Sequence, residues 1–221
     1  MKIVRTDKEL HTPIIDAKIK EAGHQLVLLP DGITEDQLIE ETKDTDLILM
    51  CYTPVTRRVI EAANKLKGIV KYGVGIDAID IPAAAAKGIP VVNIPEYAEE
   101  TVAEGAFAML IALAKKLPAI QNQMENNGWA WPEPKWLGFD IAGKTLGIVG
   151  FGKIGKSMAR MANRGFRARV IAFSPHTEDQ EMEKFGVTKY NSLSKLLSDS
   201  DFVSIHSVLN SETEKLIGEK E

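Results

Sequence analysis

The stretch Leu146-Gly147-Ile148-Val149-Gly150-Phe151-Gly152-Lys153-Ile154-Gly155 decides how the chain is read. An apolar strand-like run leads into three glycines spaced G-x-G-x-x-G, and a helix-compatible run, Lys156 to Asn163, follows. Strand, glycine turn and helix in that order are the context of a dinucleotide fingerprint. The first glycine permits a tight turn, the second lets the backbone approach a pyrophosphate, and the third lets helix and sheet pack closely. The helix N-terminus then offers free N–H groups to the phosphates. The same residues satisfy a second pattern, G-x-x-x-x-G-K-[ST], through Gly150, Gly155, Lys156 and Ser157. A nucleoside triphosphatase also needs an apolar strand ending in Asp to hold magnesium. The later strand Phe202–Ile205 instead begins after Asp201 and runs into His206, so the dinucleotide reading is favoured.

Outward from the glycine turn, further strands are expected at about 169–173, 187–190 and 201–206. Ser211-Glu212-Thr213-Glu214 reads as a capping box for one more helix, in which the chain stops at Glu221. In the other direction, strand patterns at Lys2–Thr6, Gln25–Leu29, Asp46–Cys51, Ile69–Val74 and Val91–Ile94 alternate with helical ones near 13–22, 34–41, 56–64 and 80–87. Thr12 before Pro13 reads as a helix start, and Thr34 to Gln37 as a capping box. Alternation of this kind implies βαβ units and a parallel sheet. A long helix is expected from about Glu99 to Lys116, capped by Thr101 to Glu104 and limited by Pro118. Residues 118–143 read as loop. They hold all three tryptophans, Trp129, Trp131 and Trp136, which either pin that loop to the core or form a dimer contact.

Length and composition narrow the function. The 221 residues are 44% hydrophobic and 26% charged, ordinary values for a folded globular protein. Lysine plus arginine number 27 against 31 acids, a net charge of −4, which argues against a nucleic-acid binder and a polybasic membrane anchor. No secretory signal opens the chain. The longest uncharged apolar run, Gly105 to Ala114, falls short of the roughly 20 residues that span a bilayer. A lone Cys51, read as a small core residue, fits a reducing compartment, so a cytoplasmic protein is expected. The histidines have no metal-ligand spacing. His206 either faces the cofactor crevice or is a satisfied structural histidine. The cluster Lys156, Arg160, Arg164, Arg167 and Arg169 reads mostly as a solvated helix face. At the tip of the second strand, where an acid would bind the adenosine ribose, stands Ser174, with His176, Glu178 and Asp179 nearby. NAD and NADP both stay open.

The match is wider than one motif. Lys71-Tyr72-Gly73-Val74-Gly75-Ile76-Asp77-Ala78-Ile79-Asp80 resembles the substrate-loop signature of the D-isomer-specific 2-hydroxyacid dehydrogenases, the family of phosphoglycerate and glyoxylate/hydroxypyruvate enzymes. Gly88 to Pro95, Val102-Ala103-Glu104, Gly143 to Gly155 and Asp201 to His206 extend the resemblance over nearly the whole chain, in the family's order and spacing. It implies an α/β protein of two parallel-sheet domains with the cofactor in the cleft. These are a flavodoxin-like substrate domain over residues 1–98, without its C-terminal return segment, and an incomplete Rossmann domain over 99–221.

The implied activity is hydride transfer between NAD or NADP and a small 2-hydroxy or 2-oxo acid. Backbone at Val74 and Gly75 would hold the substrate carboxylate, with Val74 also touching the nicotinamide end. The turn at Tyr52 would face and select the substrate. Gly150, Phe151, Gly152, Lys153, Ile154 and Gly155 would take the cofactor, with Ser174 at the ribose and His206 and Ser207 along the wall. A homodimer through residues 99–140 is implied as well. Val208 stands where the family usually has proline. The family's catalytic arginine, glutamate and histidine fall beyond the equivalent of Glu221, so no catalytic residue is assigned and the 221-residue chain is expected to lack turnover. A non-catalytic dinucleotide-binding scaffold or sensor, and an inactive fragment of a longer enzyme, are the alternatives.

Overall fold

The computed structural model describes residues 1–129 and 131–221. They form two compact units, Met1–Tyr97 and Ala98–Glu221. Each is a parallel sheet joined by helices.

In the first unit β1 (Lys2–Arg5), β2 (Gln25–Leu28), β3 (Leu47–Met50), β4 (Gly68–Lys71) and β5 (Val91–Val92) lie in the order β2-β1-β3-β4-β5. Every pairing is parallel, with Ile3 opposite Leu26 and Leu47, and Leu49 opposite Val70. The connections are α1 (Pro13–Glu21), α2 (Glu35–Thr42), α3 (Arg57–Ala62) and α4 (Ile81–Ala86). Val4, Ile48, Met50, Val59, Ile60 and Ile69 are fully buried together, each burial contributing about 1.5–3 kcal/mol. The expected capping box is present: the Thr34 hydroxyl accepts from the Gln37 amide, and the Gln37 side chain accepts from the Thr34 amide. Thr12 does not cap α1 with its side chain; Pro13, with φ already fixed and no N–H to satisfy, starts it.

In the second unit β6 (Thr145–Val149), β7 (Arg169–Phe173), β8 (Val187–Lys189) and β9 (Phe202–Ile205) lie in the order β8-β7-β6-β9. The helices are α5 (Glu99–Ala114), α6 (Leu117–Asn127), α7 (Lys153–Arg160), α8 (Asp179–Glu183) and α9 (Leu193–Ser198). Leu146, Ile148, Phe151 and Met158 are buried against Phe107 and Leu110 of α5. A π-helical turn, Met161–Gly165, continues α7 toward β7.

Four expectations need correction here. Residues 118–143 are not all loop, because α6 occupies Leu117–Asn127 and a 3₁₀ turn occupies Pro134–Trp136. Pro118 sits in the first turn of α6, where its missing N–H costs nothing. Lys116 (φ +54°) breaks the chain away from α5, and Gly128 (φ +78°) ends α6. Thr101 to Glu104 does not cap α5, which already starts at Glu99 after Ala98. Ser211 to Glu214 starts no helix: Asn210 Oδ1 accepts from the amides of Glu212 and Thr213, and the Thr213 hydroxyl turns back to the Val208 carbonyl at 2.5 Å. The tryptophans do not pin a loop either. Trp129 and Trp131 are exposed, and half-buried Trp136 has the Lys135 ammonium 5.0 Å from its ring centre.

Candidate dinucleotide and substrate sites

In an open parallel sheet, ligands bind beyond the carboxyl ends of the strands where the strand order reverses. The second unit reverses between β6 and β9. Gly150 to Gly152 follow β6, and His206 and Ser207 follow β9. A cavity of about 410 Å³ lies there. Its walls include Gly150, Gly152, Ser174, His206 and Ser207, with Val208, Asn210, Glu212, Thr213 and Leu216 closing one side.

Each glycine has its own reason. Gly150 has φ +93°, and a Cβ there would stand 2.5 Å from the Ser207 amide nitrogen. A Cβ on Gly155 would collide with the Gly150 carbonyl oxygen, so the first turn of α7 lies directly on the strand end. Gly152 differs: its backbone, at φ −76° and ψ −162°, suits any residue, and a Cβ would meet nothing within 4 Å. Folding therefore requires glycine at 150 and 155, whereas at 152 the missing side chain leaves open space before the N-terminus of α7. Such a cradle fits the pyrophosphate of a dinucleotide.

Lys156 and Ser157 argue against the triphosphatase pattern. The Lys156 ammonium pairs with Glu181 and lies 6.0 Å from the Phe185 ring centre. The buried Ser157 hydroxyl donates to Glu100 at 2.7 Å. Both are tied to helices α8 and α5 and are not available to phosphates and magnesium. Lys156 is thus not part of a solvated basic face, although Arg164, Arg167 and Arg169 are exposed.

The remaining expected residues distribute around this turn. Phe151 lines the cavity but is 1% exposed, its ring edge-on to Phe185 at 5.8 Å. Lys153 is exposed and Ile154 half-buried on the first turn of α7. Ser174 Oγ lies 2.9 Å from Thr177 Oγ1, so two hydroxyls face each other after β7 where an acid was sought. His206 Nε2 lies 2.8 Å from Ser204 Oγ, and burial pushes its pKa down, leaving the imidazole neutral near pH 7. It is both satisfied and on the cavity wall.

The first unit reverses between β1 and β3. Here Asp7, after β1, meets the turn Cys51-Tyr52-Thr53 after β3. Its carboxylate accepts from the amides of Cys51 (2.8 Å), Tyr52 (3.0 Å) and Thr53 (3.1 Å), and from the hydroxyls of Thr53 (2.9 Å) and Thr6 (2.6 Å). Cys51 is buried as expected of a core residue, and burial pushes its thiol pKa up. Tyr52 is exposed. After β4, the loop through Val74 and Gly75 is tied to the irregular segment that follows β5. Asn93 donates to the Val74 carbonyl at 2.7 Å, and the Ile94 amide donates to the Gly73 carbonyl at 3.0 Å. Sequence reading passed over Asp7 and Asn93. The signal for Asp7 was its place just after the first strand, at the switch point.

Among the described residues no three His, Cys, Asp or Glu side chains gather as a metal site, and no helix is long and apolar enough to cross a membrane.

Comparison with known proteins agrees with this geometry. Residues 107–221 match the sequence model of the D-isomer specific 2-hydroxyacid dehydrogenase, NAD binding domain. The chain is similar to a D-3-phosphoglycerate dehydrogenase of Methanocaldococcus jannaschii, 35% identical over 222 residues that cover 100% of this chain and 41% of the relative. It is also similar to a glyoxylate reductase of Korarchaeum cryptofilum, 40% identical over 187 residues that cover 83% of this chain and 56% of the relative. The chain thus spans about half the length of these curated relatives. Among solved structures, a D-lactate dehydrogenase from Aquifex aeolicus complexed with NAD and lactic acid superposes with a TM-score of 0.80 at 28% identity, covering 96% of this chain and 62% of that one. With a glycine cradle at the switch point of its second sheet, and with that half matched by the family's cofactor domain, the chain belongs to the D-isomer specific 2-hydroxyacid dehydrogenase family.

Proposed function

We propose that these residues serve an NAD- or NADP-dependent oxidoreductase that interconverts a small 2-hydroxy acid and its 2-oxo acid. The observation that carries this reading is Gly152, where neither a clash nor the backbone angles demand glycine and the missing side chain leaves room for a pyrophosphate. When bound, the nicotinamide carries the hydride. The amides at the start of α7, from Gly152 to Ile154, hold the phosphates. Ser174 and Thr177 face the adenosine ribose, and neutral His206 with Ser207 lines the wall without adding charge. The backbone of Val74 and Gly75, held by Asn93, takes the substrate carboxylate, and Val74 touches the nicotinamide end. The Tyr52 turn faces the substrate.

Reduction of a 2-oxo acid leaves negative charge on the carbonyl oxygen, which needs a proton donor and a nearby cation. The family supplies these from residues beyond the equivalent of Glu221. The 221-residue polypeptide by itself therefore binds cofactor without appreciable turnover; loss of a general acid alone costs roughly 10²–10⁴-fold. The protein works in the cytoplasm. It pairs as a homodimer through residues 99–140, where Met109, Leu113, Trp129, Trp131, Leu137 and Phe139 are all exposed. These exposed apolar side chains support an interaction surface in this region.

The test is a fluorescence titration of the polypeptide with NADH, NADPH and ATP–magnesium. The reading expects saturable binding of a dinucleotide and weak binding of ATP–magnesium; the reverse order would sink it. NADH oxidation with glyoxylate, hydroxypyruvate and pyruvate is assayed beside a chimera carrying the C-terminal segment of a glyoxylate reductase relative. Turnover by the chimera alone is expected, and equal turnover by both would refute the account of the missing groups. Dinucleotide binding with turnover in neither form would favour the scaffold or sensor alternative.

A further inference from the structure

We propose that Asp7 is the positioning residue of the substrate-facing turn: it fixes the Cys51–Thr53 backbone and thereby the place from which Tyr52 meets a small 2-oxo acid. This rests on the reading that the turn faces substrate.

The turn has almost no freedom of its own. Three consecutive amides, at Cys51, Tyr52 and Thr53, donate to one carboxylate that comes from 44 to 46 residues earlier in the chain. The Cys51 carbonyl accepts from the ammonium of Lys71, which is itself buried. Of the three side chains, Cys51 and Thr53 are buried and only Tyr52, 71% accessible, reaches outward.

Asp7 is held as firmly as it holds. Its backbone sits at φ +56°, a left-handed conformation that aspartate tolerates better than most residues. The flanking amides bind neighbouring strands, Thr6 to the Leu49 carbonyl and Lys8 to the Leu29 carbonyl. The Asp7 carbonyl accepts from the guanidinium of buried Arg5, and Tyr72 Oη donates to the Thr6 carbonyl at 2.9 Å. Burial works against the charged carboxylate. The hydrogen bonds from Thr6, Cys51, Tyr52 and Thr53 outweigh it and hold the Asp7 pKa below the usual carboxylate value. A charged group buried at this cost, at the switch point of the sheet and 44 to 46 residues from the turn it binds, orders the turn that borders a ligand crevice.

The test uses the NADH-saturated 221-residue polypeptide and glyoxylate as the probe, with binding followed through backbone amide resonances. In the wild type, glyoxylate is expected to shift the Tyr52, Thr53, Val74 and Gly75 amides together. Asp7→Asn keeps the size and removes the charge. It should weaken glyoxylate binding at least tenfold while NADH affinity, assigned chiefly to the glycine turn of the second unit, stays within twofold. Thr53→Ala removes one donor to Asp7 without leaving the carboxylate unpaired, and should weaken glyoxylate about threefold; it carries the test if Asp7→Asn does not fold. Folded variants that bind glyoxylate like the wild type overturn the positioning role alone. A wild type that binds NADH but leaves all four amides unmoved by glyoxylate overturns the substrate reading and this proposal with it.

Discussion

The two sheets reverse their strand order in the same manner and treat the resulting crevice in opposite ways. In the first unit the protein's own Asp7 carboxylate occupies the nest of amides at the switch point, where it takes five hydrogen bonds. In the second unit the equivalent place is a cavity of about 410 Å³ bordered by glycine backbone. An inward-facing anion satisfies the donors of the first crevice from within, whereas no side chain of the turn fills the second. One topology thus yields a filled crevice in one unit and an open one, the proposed phosphate site, in the other. The residues deciding between them are Asp7 and Gly152.

Substitutions in the glycine turn should break the second unit most strongly. Gly155→Val drives a side chain into the Gly150 carbonyl, a backbone atom that cannot swing away. A loss of about 3 kcal/mol is expected for the second unit, measured by urea unfolding followed at its tryptophans. In the first unit, Asp7→Ala leaves three amides of a buried turn without their acceptor and should cost about 2–3 kcal/mol. Amide exchange would then speed up at Cys51, Tyr52 and Thr53 while β6 and β7 keep their protection.

Acid sharpens the same contrast. Burial raises the Asp7 carboxyl pKa, but the hydrogen bonds from Thr6, Cys51, Tyr52 and Thr53 outweigh it and hold it below the usual value, so the folded first unit binds its proton less readily than the unfolded chain. Its stabilisation is complete above the unfolded carboxylate pKa of about 3.9 and is lost as the pH falls through the lower folded value. Below pH 4, Asp7→Asn should therefore lose less stability than the wild type on further acidification. Parallel acid-unfolding curves for the two proteins would contradict this.

Local patterns were legible in the sequence, and long-range ones were not. The glycine turn and the Thr34–Gln37 capping box depend on residues within a few positions of one another, and both appear where the pattern placed them. Pro118 misled because a proline that blocks one helix is readily accommodated in the first turn of the next. Ser211 to Glu214 carries the letters of a capping box, but Asn210 captures the amides first and makes a turn. Asp7 escaped notice because its partners lie 44 to 46 residues away, and only the pairing of β1 with β3 brings them together.

The adenosine end offers a smaller effect. With the Ser174 and Thr177 hydroxyls facing each other, Ser174→Asp adds a negative charge where a 2′-phosphate would sit. The ratio of NADH to NADPH affinity should rise about tenfold, equivalent to roughly 1.4 kcal/mol. An unchanged ratio would place residue 174 out of reach of the ribose.

In the proposed function Gly152 is glycine chiefly for the ligand, and Gly152→Val tests this directly. Its backbone is extended and a Cβ would stand in open space, so the variant should melt within about 1 kcal/mol of the wild type, the cost of valine in place of glycine at the N-cap of α7. The valine side chain fills the space before α7 that the pyrophosphate needs, so NADH affinity in the same sample should fall at least a hundredfold. Unchanged melting with lost binding is the predicted result. Unchanged melting with unchanged NADH affinity would contradict the assignment of this turn as the cofactor cradle.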